Sequence, residues 1–157
     1  MVIHITMKIY LETSVPNFLF TKDAPEKRVI TENFFKIDIK KHEPYVSDLV
    51  IDEFNMAPEE IKKELKNIIP KYKLGLLKVS DECKKLADKY LKAGLIPEKY
   101  KNDALHIAVA VVNRMDVLIS WNMQHIVKLK TVVGVNKINK ESGYKEILIY
   151  TPEEVIE

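Results

Sequence analysis

The chain has a single cysteine, Cys83, so no disulfide can form within it. That absence points to a reducing, cytoplasmic setting. Glycine is also scarce, at four residues, and no glycine-rich loop follows any strand-like run. A P-loop or a dinucleotide-binding turn is therefore not expected. There is no Cys-x-x-Cys and no histidine pair at ligand spacing on a helix, which argues against zinc. No apolar run reaches the roughly 20 residues of a membrane span, so no membrane association is expected. The opening "MVIHITMKIY" lacks a basic region followed by an apolar stretch and has no small-residue cleavage site. No signal peptide is expected from it. Met7 is an alternative start, with residues 1–6 an upstream extension. An excess of one charge is missing too: 25 Lys and Arg face 23 Asp and Glu, a net charge of +2. That is too small to argue for nucleic acid by itself. Lysines do cluster, in "EEIKKELKNIIPKYK", "DECKKLADKYLKAGLIPEKYK" and "KLKTVVGVNKINK". Such runs are more often solvated helix faces than phosphate-tracking surfaces.

What is present is the length and apolar content of one globular domain, residues 1–157, large enough to bury a core without disulfides or a structural metal. Residues 8–11 read as a short buried strand. "ETSVPNFLF" turns into a helix with Thr13 or Ser14 as cap. Residues 25–40 carry helical spacing opened by Pro25. "PYVSDLVIDEF" is a strand over 45–47 running into a helix from Asp48. "APEEIKKELKNII" is an amphipathic helix that stops near Pro70. "LGLLKVS" is a strand, and the next helix is capped by Ser80 and stopped by Gly94. "NDALHIAVAVVNRM" is the most apolar helix and so the central one. "DVLIS" and "EILIY" are strands, and a last helix opens at Thr151-Pro152. Strands alternating with helices predict an α/β fold, a mostly parallel sheet covered by helices on both faces.

In such sheets ligands gather beyond the carboxyl ends of the strands. Glu12 follows the first strand. Asp48, Asp52 and Glu53 follow the second. Asp103 opens the central helix, and Trp121-Asn122 follows "DVLIS". Clustered carboxylates repel one another, and a divalent cation removes that cost. Mg²⁺ or Mn²⁺ suits an all-oxygen donor set, keeps waters and shares them with phosphate. The residues thus point to metal-assisted phosphodiester hydrolysis.

The segments "KIYLETSVPNF", "YVSDLVIDEF", "NDALHIAVA" and "VLISWNMQHI" resemble the successive motifs of the PIN domain, and most closely those of the single-domain, VapC-like toxins. The resemblance covers nearly the whole chain. It implies a three-layer α/β/α sandwich with a central parallel sheet. It implies a Mg²⁺- or Mn²⁺-dependent ribonuclease, the toxin of a type II toxin–antitoxin pair. The implied partners are RNA, a small antitoxin that fills the site, and a second copy in a homodimer. Glu12 falls on the first acid, usually Asp. Glu53 matches the second, six residues after the serine that ends its strand. Asp103 matches the acid opening the central helix. Asn122 stands where many members carry a fourth acid, and Thr13 and Ser14 match the small hydroxyl residues after the first. Glu12 is one methylene longer than Asp, and Asn122 lacks a negative charge.

Plainer roles stand beside these. Asp103 suits a helix N-terminus, and Glu12 could cap the helix that follows it. Asn122 could cap a helix over "MQHIVKL". His106 reads as a packed, hydrogen-bonded core histidine, His125 as a local structural contact, Trp121 as a core aromatic, and Cys83 as non-catalytic. A PIN-like module that binds RNA or protein without cutting is the alternative reading, with a DNA nuclease or an rRNA-processing enzyme behind it. With one charge fewer at position 122, a single well-bound metal is expected, held mainly by Glu12 and Asp103, with Glu53 direct or through water. Isothermal titration with Mn²⁺ should show one tight site, and two tight, equivalent sites would contradict the assignment.

Overall fold

Four residues at the centre of the sheet, Lys8–Leu11 (β1), set the architecture. They are paired on both sides in parallel, by Glu43–Ser47 (β2) and by Val117–Ile119 (β4). Gly75–Leu77 (β3) pairs outside β2, and Leu148–Tyr150 (β5) outside β4. The strand order is β3-β2-β1-β4-β5. The computed structural model describes residues 1–156. All four pairings are parallel, so each strand is returned to the same end of the sheet by a crossover. The helices are α1 (Ser14–Asn17), α2 (Pro25–Lys36), α3 (Asp48–Asn55), α4 (Glu59–Lys71), α5 (Asp81–Lys92), α6 (Lys101–Val112), α7 (Leu129–Glu141) and α8 (Pro152–Val155). The protein is an α/β three-layer sandwich, as expected.

Burial follows the pleat. Ile9, Tyr10 and Leu11 are all buried, as a strand covered on both faces requires. The central helix is α6, whose Ala104 and 106–111 run are buried. Helix α5 packs on it through Cys83, Leu86, Ala87 and Tyr90, with the Tyr90 hydroxyl bonded to Asn139 of α7. Ser80 caps α5 by accepting from the Cys83 N–H at 3.3 Å, and Gly94 follows at φ +74°. Thr151 and Glu154 form a reciprocal capping box on α8.

Two elements differ from the sequence reading, the end of the helix opened by Pro25 and the helix over "MQHIVKL", while α4 stops near Pro70 as expected. Helix α2 ends at Lys36, and Asp38–Lys41 is a separate 3₁₀ turn. Helix α4 carries Pro70 inside its last turn and stops after Lys71. Its end is closed by Lys73 at φ +54° and by the Leu74 N–H on the Ile69 carbonyl at 2.9 Å. No helix forms over "MQHIVKL": residues 123–126 are turns, and the helix there is α7, six residues further on.

The β2–β3 edge depends on a missing side chain. Gly75 lies opposite Tyr45, and a Cβ there would sit 2.5 Å from the Tyr45 ring. Gly75→Ala should lower stability by about 1–3 kcal/mol. The loss should shrink in a Tyr45→Ala background. Urea unfolding of the four proteins checks this, and an equal loss in both backgrounds would contradict the contact.

Candidate active site

Strand order reverses at β1, between β2 on one side and β4 on the other, so the crevice at the carboxyl end of β1 and β4 is the switch point of the sheet. Glu12 leaves β1 there, and its N–H donates to the Ile119 carbonyl of β4 at 3.0 Å. The residue is buried, at 5% exposure. Two hydroxyls hold one of its oxygens: Ser14 Oγ donates to Oε1 at 2.5 Å and Ser120 Oγ at 2.6 Å. Ser14 Oγ also accepts the Trp121 N–H at 2.8 Å, tying the ends of β1 and β4 together.

The second acid arrives on α3. Ser47 ends β2 and caps α3 by accepting the Val50 N–H, which sets the helix so that Glu53 lies one and a half turns on. Asp48 and Asp52 on the same helix are exposed. Glu53 is half-buried and turns inward. Its Oε1 accepts from Thr13 Oγ1 at 2.8 Å and meets His106 Nε2 at 2.5 Å. The other ring nitrogen of His106 meets the Tyr10 hydroxyl at 2.7 Å, and that hydroxyl meets Ser47 Oγ at 2.7 Å. A buried relay therefore runs Glu53–His106–Tyr10–Ser47 through the middle of the fold.

The third acid is Asp103, in the first turn of α6 and one helical turn before His106. His125 Nδ1 donates to Asp103 Oδ2 at 2.8 Å. His125 is in turn fixed by Asn122, whose Oδ1 accepts the His125 N–H at 3.0 Å. The Asn122 N–H donates to Ser120 Oγ at 2.9 Å. The network thus closes from Glu12 through Ser120, Asn122 and His125 to Asp103.

Charge explains why His106 is central. Burial alone would push its pKa down, but the hydrogen bond to Glu53 and the charges of Glu12, Glu53 and Asp103 outweigh burial and hold it above the ordinary imidazole value. For Glu53, burial works to raise the pKa, and the bond and charge of His106 with the Thr13 hydroxyl overcome it, so it lies below the usual carboxylate value. The Tyr10 phenol is pushed well above its ordinary value by burial, so it stays a neutral hydroxyl. All three expected acids therefore lie within electrostatic reach of one buried imidazole.

Each acid uses one oxygen in these contacts. Glu12 Oε2, Glu53 Oε2 and Asp103 Oδ1 receive no hydrogen bond from the described residues. No buried side-chain oxygen or nitrogen among those residues lacks a partner, so none of these three oxygens is fully sealed from solvent. Their chemistry is that of a hard-cation donor set. Among the described residues, however, no group of three or more His, Cys, Asp or Glu is spaced to hold a metal ion. The Asn122 amide oxygen accepts the His125 N–H across a turn. Sequence reasoning missed Tyr10, Ser120 and the pairing of each histidine with an acid. The position of His106, one turn after Asp103 on α6, was the available signal.

No family model matches this sequence. No curated protein matches it. The fold is similar to that of a solved chain in the crystal structure of VapBC2 from Rickettsia felis bound to a DNA fragment from their promoter. The TM-score is 0.54 at 17% identity, over 91% of this chain and 98% of that one. The likeness is one of fold: an α/β three-layer sandwich on an all-parallel five-stranded sheet. Among the described residues, no helix is long and apolar enough to cross a membrane.

The Glu53–His106 pair makes stability depend on pH. The raised pKa of His106 gives a contribution complete below its unfolded value near 6.5 and lost as pH rises through the folded value. The lowered pKa of Glu53 gives one present above 4.5 and lost as pH falls through its folded value. Urea unfolding in EDTA should show the pair's full contribution between those two values and a decline on the alkaline side. Glu53→Gln should shrink that alkaline decline, and an unchanged profile in the variant would refute the pairing.

Proposed function

We propose that this chain is a metal-dependent endoribonuclease of the PIN type, hydrolysing RNA phosphodiester bonds, and the toxin of a type II toxin–antitoxin pair. The observation that carries the reading is the convergence of Glu12, Glu53 and Asp103, from three separate elements, around His106 at the switch point of the sheet. The likeness of the fold to a chain of VapBC2 supports the same reading, and with it a small antitoxin as partner. A homodimer and a cytoplasmic setting belong to this proposal as well.

The donor set fits Mg²⁺ or Mn²⁺ in type, because each carboxylate keeps one oxygen open. A three-carboxylate cage is not required, since Mg²⁺ is commonly held by one or two carboxylates with waters and substrate phosphate completing the shell. Glu12 and Asp103 would hold it, with Glu53 direct or through water. When bound, such an ion lowers the pKa of water and steadies charge on the phosphodiester. The protein's own part is positioning and proton transfer. Ser14 and Ser120 fix Glu12 by one oxygen and leave the other unbonded. Thr13 and His106 do the same for Glu53. Where Glu53 meets the ion through water, its Oε2 would take the proton of the attacking water as the water oxygen bonds to phosphorus and the bond to the leaving oxygen breaks, that oxygen taking its proton from solvent. Asn122 acts through His125, which orients Asp103. Lys99 and Lys101, both exposed beside the start of α6, would meet RNA phosphates.

A binding module that cuts nothing is the second reading. It is favoured by the lack of a three-ligand group among the described residues and by the committed amide of Asn122. One experiment separates the two. Purified protein should cut a mixed structured RNA pool in Mn²⁺ or Mg²⁺ and not in EDTA. Asp103→Asn keeps an oxygen for the His125 N–H, so it should fold normally yet cut about a hundredfold slower or less. Equal cutting by the variant, or cutting in EDTA, would sink the assignment.

A further inference from the structure

An exposed aromatic ring stands beside the acids with no structural task that needs its exposure. Tyr100 immediately precedes α6 and is 39% exposed. Its ring packs on His125 with centroids 4.2 Å apart and planes 40° apart. His125 is the residue that holds Asp103 at 2.8 Å, so the Tyr100 ring lies two contacts from the third acid. Lys99 Nζ stands 5.7 Å from the ring centroid, and Lys99 and Lys101 are both exposed.

We propose that Tyr100 is a stacking platform that positions an unpaired nucleobase next to the scissile phosphate. The inference rests on the ribonuclease reading of the acids. A π-face takes any base, and neighbouring ammonium groups track the backbone; that is the pairing of features by which single strands are held without sequence readout. An exposed Lys–aromatic contact is weak. Lys99 can therefore leave the ring as a base arrives and move to the adjoining phosphate. His125 supports the ring from below and limits its rotation, so the platform is fixed relative to Asp103. In a duplex the bases are stacked internally, and A-form RNA offers no free face to Tyr100.

The test is equilibrium binding of a short single-stranded oligoribonucleotide, scanned with 2-aminopurine at each position, to the full chain in EDTA. Tyr100→Phe, Tyr100→Leu and Tyr100→Ala are compared with the parent, and a duplex of the same sequence serves as control. The parent and Tyr100→Phe should quench the probe at one position. The Leu and Ala variants should lose that quench and bind the strand about ten- to a hundredfold more weakly. Duplex affinity should be the same in all four. Equal strand affinity across the series, with no position-dependent quench, overturns the platform. If the parent still cuts RNA in Mn²⁺ in that case, the nuclease reading stands alone. A parent that neither binds nor cuts RNA overturns both.

Discussion

Three carboxylates gathered at one sheet edge repel one another, and the buried His106 imidazole is what makes the gathering tolerable. Its ring is sealed from water, yet it is paired with Glu53 and lies in the field of Glu12 and Asp103. Removing Glu53 would leave the buried imidazole without its carboxylate partner, which is costlier than losing a surface contact. Much of the surrounding structure serves this arrangement. Tyr10 occupies the middle of the central strand so that its hydroxyl can meet His106 on one side and Ser47 on the other. Ser47 also caps α3, so a single hydroxyl links the relay to the helix that delivers Glu53.

A second set of contacts positions the outer acids. Glu12 is fixed from both strands of the crevice, by Ser14 after β1 and Ser120 after β4. Asp103 is fixed by His125, itself locked by Asn122. Every acid is bound through one oxygen while the other stays open.

Much of this was legible in the residues. Alternating apolar strands and capped helices predicted the parallel sheet; element ends brought Glu12, Asp48, Asp52, Glu53, Asp103 and Asn122 forward, and the motif resemblance singled out Glu53 from its two neighbours. Helix α7 was not legible: its β-branched run and Gly134 weaken helix propensity, and tertiary packing through Val135 and Asn139 decides the matter. The end of α2 was missed because helical spacing continues through Ile37, while the backbone leaves the helix there. At the site, residue types were visible but pairings were not. Nothing local to His106 announces Glu53, which is 53 residues away in sequence. Asn122 looked like a stand-in for a fourth acid, and in the structure its amide oxygen accepts the His125 N–H across a turn.

The proposed site for a divalent cation is held by Glu12 and Asp103, with Glu53 direct or through water. Paramagnetic broadening tests it most directly: substoichiometric Mn²⁺ is added to ¹⁵N-labelled protein and amide signals are followed. The account predicts that signals at Glu12, Thr13, Asp103 and Ser120 broaden together and first, while those at the exposed Asp48 and at Asp116 persist. Broadening centred elsewhere, or spread evenly over the surface carboxylates, would contradict it.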